Sequence, residues 1–526
     1  MSEEKKLPDI GYLQKLRETA RQGGGEEKTR RQHERGKLTV RERLDLLFDK
    51  GTFIEMGILA AEGNREAPDA DGVVAGYGKV NGRYAGIVAY DYTVKGGSMG
   101  LTSEQKATRI REIVLKSKIP MIWILDSGGA RIAPSGSGGF GGSGEQIAVF
   151  ANSGYLFKEE SLMSGVIPLV AAMMGPGFAG TAYIPGLADF VPMVKNKSFM
   201  GLGGPPLVKM VIGEDVNEND LGGSKVHCET SGVGDLEVES DEECIKALKE
   251  YLSFFPNNCD EKPPRKEFSG NMDALLDNKI LEIVPDNPRQ AYSTHRIIKL
   301  ILDDGYFFDI KPQWAKNIIT GFGRIGGYPV GIVANNTMVY GGVIDINASD
   351  KAARFVWLCD AFNIPLLFLA DVPGFMVGSK AEKDGIIRHG AKFIHAVAEA
   401  TVPKFTVIVR KAYGAGYYAM CGKAFDPDLI VGWPKAEISV MGAEGMISIF
   451  AKKMLDAAEP KERQEIITNM ANTIKPYLSA YKPASLAYID DIIDPRETRS
   501  VLFRALEFTK DKAIYRHPRK HGVYPV

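Results

Sequence analysis

GYGKVNGRYAGIVAYDYTVKGGSMGLTSEQKATRIREIVLKSKIPMIWILD, residues 76–126, returns later in the same chain as GFGRIGGYPVGIVANNTMVYGGVIDINASDKAARFVWLCDAFNIPLLFLAD, residues 321–371. The register is 245 residues and needs no gap: Gly96 and Gly97 fall on Gly341 and Gly342 (341 − 96 = 245), and Asp126 falls on Asp371. Lys106, Arg109 and Pro120 fall likewise on Lys351, Arg354 and Pro365. Sixteen of the 51 aligned positions are identical, whereas unrelated segments share roughly three. The period far exceeds that of a solenoid array and marks a duplicated domain. Two similar halves can offer two similar sites to one reaction.

Each copy reads as hairpin, glycine loop, helix, strand, glycine loop, helix. GVVAGYGKV and YAGIVAY flank an Asn81-Gly82 turn, the short-range signature of a hairpin. A helix is expected over roughly 103–117, then the apolar strand MIWIL at 121–125. Strands alternating with helices imply an α/β fold with covered sheets. Ahead of the first copy, residues 1–35 read as a polar helical arm with a GGG hinge at 23–25, and Thr39-Val-Arg-Glu42 matches a capping box. The acidic, proline-punctuated stretch 214–270 closes the first half, with the break between halves near 260–272.

Composition narrows the function. Lys and Arg number 65 against 66 Asp and Glu, for a formal net charge of −1, which does not advertise nucleic acid or an anionic membrane as the main partner. No run of eighteen apolar residues suggests a membrane span, and the charged N-terminus lacks a signal-peptide segment. The five cysteines are scattered, without CxxC pairs or zinc-site spacing. A cytoplasmic protein without a metal is expected.

Glycine points to chemistry. It makes up 58 of 526 residues, about 11% against a usual ~7%, and it clusters after strands. GPGFAGTA follows the strand IPLVAAMM, and YGAGYY follows VPKFTVIV. They occupy equivalent places in the two halves, with Gly180 set against Gly416 at an offset of 236. A small-residue turn feeding a helix start leaves main-chain N–H groups unpaired and approachable, which is how a fold builds an oxyanion hole. No nucleophile or acid–base set stands out: the seven histidines form no HExxH pair, and Ser127 lacks the glycine two residues before it that a hydrolase elbow carries. A protein without its own base needs one from its reactants. Gly136-Ser-Gly138-Gly-Phe-Gly141 satisfies GxGxxG but does not follow a strand directly, so Gly136–Gly144 is expected to be a mobile flap beside the site. Lys106, Arg109, Arg111, Lys116 and Lys118 are candidates to face a nucleotide phosphate, with a solvated helix face as the alternative.

At GKLTVRERLDLLFD (36–49), GGSMG (96–100), DSGGARI (126–132), WAKNIITGFGRIGGYPVGIVANN (314–336), DVPGF (371–375), KAYGAGYYAMCGKAF (411–425) and WPKAEISVMGAEG (433–445), the chain resembles the carboxyltransferase (β) subunits of biotin-dependent acyl-CoA carboxylases, the propionyl- and methylcrotonyl-CoA carboxylase family. The resemblance implies two tandem crotonase-like (ClpP/crotonase) spiral domains: 1–265 on the acyl-CoA side and 270–526 on the biotin side. It implies an active site at a dimer interface within a hexamer, a trimer of dimers. Gly180–Thr181 would hold the thioester enolate, and Ala415–Gly416 the biotin ureido oxygen. Gly374, Phe375 and Tyr417 would meet biotin. Gly128, Gly129, Ala130, Arg131, Lys316, Asn317 and Tyr418 would meet the substrate.

The implied reaction starts from carboxybiotin, whose biotin enolate takes the acyl-CoA α-proton before the carbanion attacks CO2. Biotin would arrive on a separate protein, since no Met-Lys-Met attachment site and no ATP-binding module occur; biotin carboxylase and biotin carboxyl carrier subunits are the implied partners. Thr181 replaces a common glycine and is expected to narrow the approach to the first hole. Tyr418 replaces the aspartate of propionyl-type members, which argues for a different acyl chain. The alternatives are a decarboxylase subunit running the reverse transfer, a crotonase-type hydratase or hydrolase, and a non-catalytic assembly subunit.

Overall fold

The computed structural model describes residues 9–61, 68–132, 148–514 and 516–525. The expected flap at Gly136–Gly144 lies outside them. The chain divides into two compact units, Met1–Glu261 and Lys262–Val526.

In the first unit an eight-stranded sheet has the order β1-β2-β3-β4-β5-β6-β8, with β7 pairing on β5. The strands are β1 (Ile54–Met56), β2 (Val73–Val80), β3 (Arg83–Tyr90), β4 (Met121–Ser127), β5 (Leu169–Phe178), β6 (Pro192–Val194), β7 (Phe199–Gly201) and β8 (Leu236–Val238). The first three pair antiparallel and the rest parallel. The helices that matter below are α1 (Ile10–Arg21), α2 (Glu26–Glu34), α3 (Val40–Leu47), α4 (Leu101–Ser117), α5 (Tyr155–Met163) and α6 (Gly180–Leu187). The capping box at α3 is present, with Thr39 and Glu42 in their reciprocal bonds.

The second unit repeats the plan. Its sheet runs β16-β14-β13-β12-β11-β10-β9, with β15 on β13. These are β9 (Phe308–Ile310), β10 (Ile318–Ile325), β11 (Tyr328–Asn335), β12 (Leu366–Val372), β13 (Lys404–Tyr413), β14 (Leu429–Gly432), β15 (Glu437–Ser439) and β16 (Asp491–Ile492); α7 (Ile346–Ala361) and α8 (Gly414–Ala419) correspond to α4 and α6. The 245-residue register holds to the residue: β2 and β3 become β10 and β11, and β4 becomes β12. Even irregularities repeat. The ladder slips between Leu125 and Ser127 in one unit and between Ala370 and Val372 in the other, and the bridge Met99–Ala130 returns as Ile344–Phe375. The Asn81-Gly82 turn has both residues at positive φ (50° and 83°), as a two-residue hairpin of that hand requires.

Each core is built on central strands, β4 and β12, that are buried along their whole length. Met121, Trp123 and Leu125 on β4 and Leu169, Ala171 and Met173 on β5 form one cluster with Ile110 and Val114 of α4. Two basic residues considered for phosphate binding belong to this interior instead. Lys106 is buried and donates to the carbonyls of Ala70 and Val73, and burial pushes its pKa down to about 8. Lys351, its duplicate, donates to Lys311, Trp314 and Ile318; Ile318 is the equivalent of Val73 (318 − 73 = 245). Arg111 is fully buried between Glu104 and Glu159. Arg109 and Lys116 are exposed, and Lys118 pairs with Asp260. No helix among the described residues is long and apolar enough to cross a membrane.

The N-terminal arm is tied to the sheet by buried charge. Asp126, at the end of β4, accepts from Lys37 (2.6 Å), Arg43 (3.0 Å) and Gln32 (2.9 Å), and Arg43 also reaches Asp241 at 2.7 Å. All five side chains are buried, so each charge depends on its partners. Asp126→Asn is expected to destabilise the protein by about 3–5 kcal/mol, because Lys37 and Arg43 would share one remaining carboxylate. Denaturant unfolding checks this; a loss under about 1 kcal/mol, the range of exposed pairs, would show the network to be dispensable.

Candidate active site

The two strand-to-helix turns are built alike. In the first unit β5 ends at Phe178, Ala179 takes φ 54° and ψ −124°, and α6 begins at Gly180. In the second, β13 ends at Tyr413, Gly414 takes φ 55°, and α8 starts there. Both strands start and both turns fall at an offset of 235 (404 − 169, and 414 − 179). The expected register of 236 is therefore corrected by one: Gly180 pairs with Ala415, and Thr181 pairs with Gly416. The backbone turn, not the glycine, is what repeats.

A positive-φ residue between strand and helix releases the chain from the ladder before any helical acceptor exists. The first helical N–H groups have no carbonyl four residues back. Among the described residues nothing accepts from the N–H of Gly180, Thr181, Ala415 or Gly416. The preceding Ala179 N–H is already bonded to the Gly201 carbonyl at 3.0 Å, so the free donors begin at Gly180. Two adjacent amides at a helix start, with the helix dipole behind those of the eight-residue α6, favour developing negative charge on oxygen.

Thr181 does not narrow its hole. Its hydroxyl donates to the Phe178 carbonyl at 2.8 Å and the side chain is fully buried, so it staples the turn from beneath. The equivalent Gly416 has no such room: an added Cβ would lie 2.7 Å from Val372 and 3.1 Å from Gly374. Val372 stands where the first unit has the smaller Ser127 (372 − 245 = 127). The volume a threonine fills in one unit is taken up by valine in the other.

The remaining expected residues divide between exposed and structural. In DSGGAR, Ser127 donates to the Gly97 carbonyl and accepts from the Gly129 N–H. Gly128 N–H bonds Gly96, and Ala130 is exposed beside its bridge to Met99. Arg131, expected to meet substrate, is buried against Asp71 (2.8 Å) and the Ser98 carbonyl (2.9 Å); it shapes the loop from inside. Asn317 is also turned inward, donating to the Val343 carbonyl at 2.8 Å. Lys316 is exposed. Gly374 is half-buried at φ 135°, where an added Cβ would meet nothing within 4 Å, and Phe375 packs under Gly390. The Tyr417 ring packs against Gly422, and its hydroxyl accepts from the Lys423 N–H at 3.0 Å. Tyr418 is half exposed and lies beside Phe425.

Several supporting residues carry no local sequence signal. Asp371, the duplicate of Asp126, is buried against Arg410 (2.9 Å) and the Tyr292 hydroxyl (2.8 Å). Burial pushes its carboxyl above the usual range, against the pull of Arg410. Ala179 stays hidden in sequence because alanine is not a residue expected at positive φ; only the 235 register, which sets it on Gly414, exposes it. A cavity of about 460 Å³ between the arm and the capping-box helix, lined by Arg21, Glu26, Arg41 and Asp91 among others, contains none of the expected residues.

The carboxyl transferase domain family matches residues 31–524. The chain is 43% identical to the Bacillus subtilis carboxylase YngE, over 97% of this chain and 98% of that one. It is 40% identical to the carboxyltransferase subunit of propionyl-CoA carboxylase from Haloferax mediterranei (98% and 99% covered). It is also 40% identical to the methylmalonyl-CoA decarboxylase alpha subunit of Veillonella parvula (96% and 96%). Among solved structures, the hexameric transcarboxylase 12S with methylmalonyl-coenzyme A bound superposes with a TM-score of 0.90 at 37% identity, covering all of both chains.

Alanine at φ 54°, ψ −124° stores roughly 1–3 kcal/mol of backbone strain. Ala179→Gly is expected to stabilise the protein by about 1 kcal/mol after the entropy of an extra glycine in the unfolded chain, and Gly414→Ala to destabilise it by a similar amount. Denaturant midpoints of the two variants check this; the opposite order would show that the turns are not held at positive φ.

Proposed function

The chain belongs to the carboxyl transferase domain family, and we propose that it moves a carboxyl group from carboxybiotin to the α (or vinylogous) carbon of an acyl-CoA, as the carboxyltransferase component of a biotin-dependent acyl-CoA carboxylase. The observation that carries this is the pair of main-chain amides left unbonded at each of two equivalent turns. A one-substrate hydratase or hydrolase needs one such site; a transfer between two enolisable reactants needs two.

In this reading the N-terminal unit takes the acyl-CoA thioester, whose oxygen sits on the Gly180 and Thr181 amides. The C-terminal unit takes the ureido oxygen of biotin on Ala415 and Gly416, beside Gly374, Phe375 and Tyr417. Carboxybiotin, the second substrate, supplies both the CO2 and the base that removes the α-proton. The protein's own contribution is charge stabilisation and alignment, each amide contributing about 2.7–4 kcal/mol where negative charge develops. Gly128, Ala130, Lys316 and Tyr418 are left to contact substrate, whereas Gly129, Arg131 and Asn317 hold the loops that present them.

Biotin would be delivered by a biotin carboxyl carrier subunit and charged by a biotin carboxylase. A homo-hexamer, as in the transcarboxylase 12S structure, is supported by apolar faces left uncovered. Met210, Val211 and Ile212 on the helix Pro205–Ile212 are exposed, as are Ile449 and Phe450 on its duplicate Ala443–Phe450. Patches of that kind mark assembly surfaces. The 40% identity to a decarboxylase subunit favours, as the second reading, the same transfer run in reverse.

The test mixes full-length protein with labelled carboxybiotin and a panel of acyl-CoAs. Label is expected on at least one acyl-CoA; thioester hydrolysis or hydration without transfer would reject the reading. Starting instead from carboxylated acyl-CoAs and free biotin, faster labelling of biotin would favour the reverse direction. Gly416→Val, which collides with Val372, is expected to cut transfer by about 10²–10³ with acyl-CoA binding changed less than about twofold. A parallel loss of binding would overturn the division of labour between units.

A further inference from the structure

Behind the first amide pair lies a buried group that the reaction does not use. Glu160, on α5, is fully buried, and neither of its carboxyl oxygens has a hydrogen-bond partner. Around it three more polar atoms are buried and unbonded: Oε2 of Glu104, Nη1 of Arg111 and the indole nitrogen of Trp123. Arg111 and Glu104 act electrostatically on Glu160, the Trp123 N–H points toward its carboxyl, and all three charged residues act on the buried Tyr90. Such clustering of orphaned atoms is rare in native cores and calls for an explanation.

Charge counting supplies one. Arg111 already pairs with Glu104 and Glu159, so this guanidinium is outnumbered two to one. A third carboxylate would be desolvated with no cation of its own, a state that burial strongly disfavours. Donor counting agrees. With Glu160 ionised, three unbonded acceptor oxygens are set against two unbonded donors, the indole N–H and the spare Arg111 nitrogen. A proton on Glu160 adds a donor and removes the excess charge, letting its O–H give to Glu104 Oε2 while its carbonyl takes the Trp123 N–H.

Glu160 also sits where it can matter. One turn earlier on α5, Phe157 packs against the hole: its ring would lie 3.6 Å from a Cβ at Gly180 and meets the Tyr183 ring edge-on at 5.5 Å. Residues three apart share a helix face, so Phe157 and Glu160 are presented together, one to α6 and the other to α4 and β4.

We propose that Glu160 is a positioning residue for the Gly180–Thr181 amides: a neutral acid that shares one proton with Glu104 and so holds α5, and through it the start of α6, in place. This rests on the reading of that pair as an oxyanion hole, but its test need not. Burial raises the proton affinity of Glu160, and Arg111 only partly opposes this. The arrangement is therefore complete below the raised pKa and is lost as pH rises through it. The facing groups are Glu104 and Arg111 of α4, Glu159 of α5 itself and Tyr90 of β3; Trp123 of β4 does not titrate.

Hydrogen exchange of residues 155–187 in the substrate-free, full-length protein, compared with Glu160→Gln at each pH, reads the effect directly. The two are expected to match at low pH. At high pH the wild type is expected to exchange at least about tenfold faster, an opening cost of ~1.4 kcal/mol. Transfer assays are expected to show the same divergence in kcat with KM for acyl-CoA little changed. Equal exchange at every pH would overturn the proposal, whatever the reaction proves to be. Absence of transfer in the wild type, with the exchange difference intact, would instead remove the oxyanion-hole reading. Should Glu160→Gln fail to fold, Glu104→Gln removes the repelling carboxylate and is expected to move the wild-type transition to lower pH; an unmoved transition would count equally against the shared proton.

Discussion

One residue at positive φ, set between a parallel strand and the helix that follows it, is the constraint on which the site depends. At Ala179 and at Gly414 the chain leaves the sheet too abruptly for its next amides to find carbonyls. Unpaired N–H groups in a folded protein carry a cost unless something polar meets them. In the proposed reading that something is a substrate oxygen. A preorganised donor pair of this kind does not need to reorganise when charge appears, which is why it is worth more than the same amides would be in water.

The strands beside those that lead into the turns, β4 and β12, are anchored by buried charge. Asp126 and Asp371 occupy the same position in the two units, yet Lys37 and Arg43 of α3 and the segment before it hold the first, while Arg410 and Tyr292 hold the second. Arg131 and Asn317 do a related job for the loops, pinning Asp71 and Ser98 in one unit and Val343 in the other. Conventional polar chemistry is thus spent on placement. In the proposed transfer, what would reach the reactants is largely main chain, with a few exposed side chains such as Lys316 and Tyr418.

The duplication, the hairpins, the α/β layering and the location of both glycine turns were legible in sequence, because they are written in periodicity and in direct self-similarity. The helix expected at 103–117 extends over Leu101–Ser117, and the Asn81-Gly82 turn has the hand its residues imply. What sequence could not carry were contacts between distant segments. Arg131 looks available until Asp71, sixty residues earlier, is seen to hold it. Thr181 looks obstructive until its hydroxyl is found on Phe178. The one-residue error in register arose from matching glycines, when the repeating element is a backbone angle that alanine adopts in one copy. Glu160 gave no signal at all: on a helix it reads as an ordinary surface glutamate, and only the burial of α5 against α4 and β4 makes it unusual.

Affinity for a stable anion in place of the thioester oxygen tests the central claim most directly. An acyl-CoA analogue carrying a nitronate where the enolate would form should bind the full-length protein at least about 10²-fold more tightly than the parent acyl-CoA, since only the charged oxygen draws on both amides. Equal affinity for the two, measured by calorimetry under the same conditions, would mean that the open amides do not meet developing negative charge.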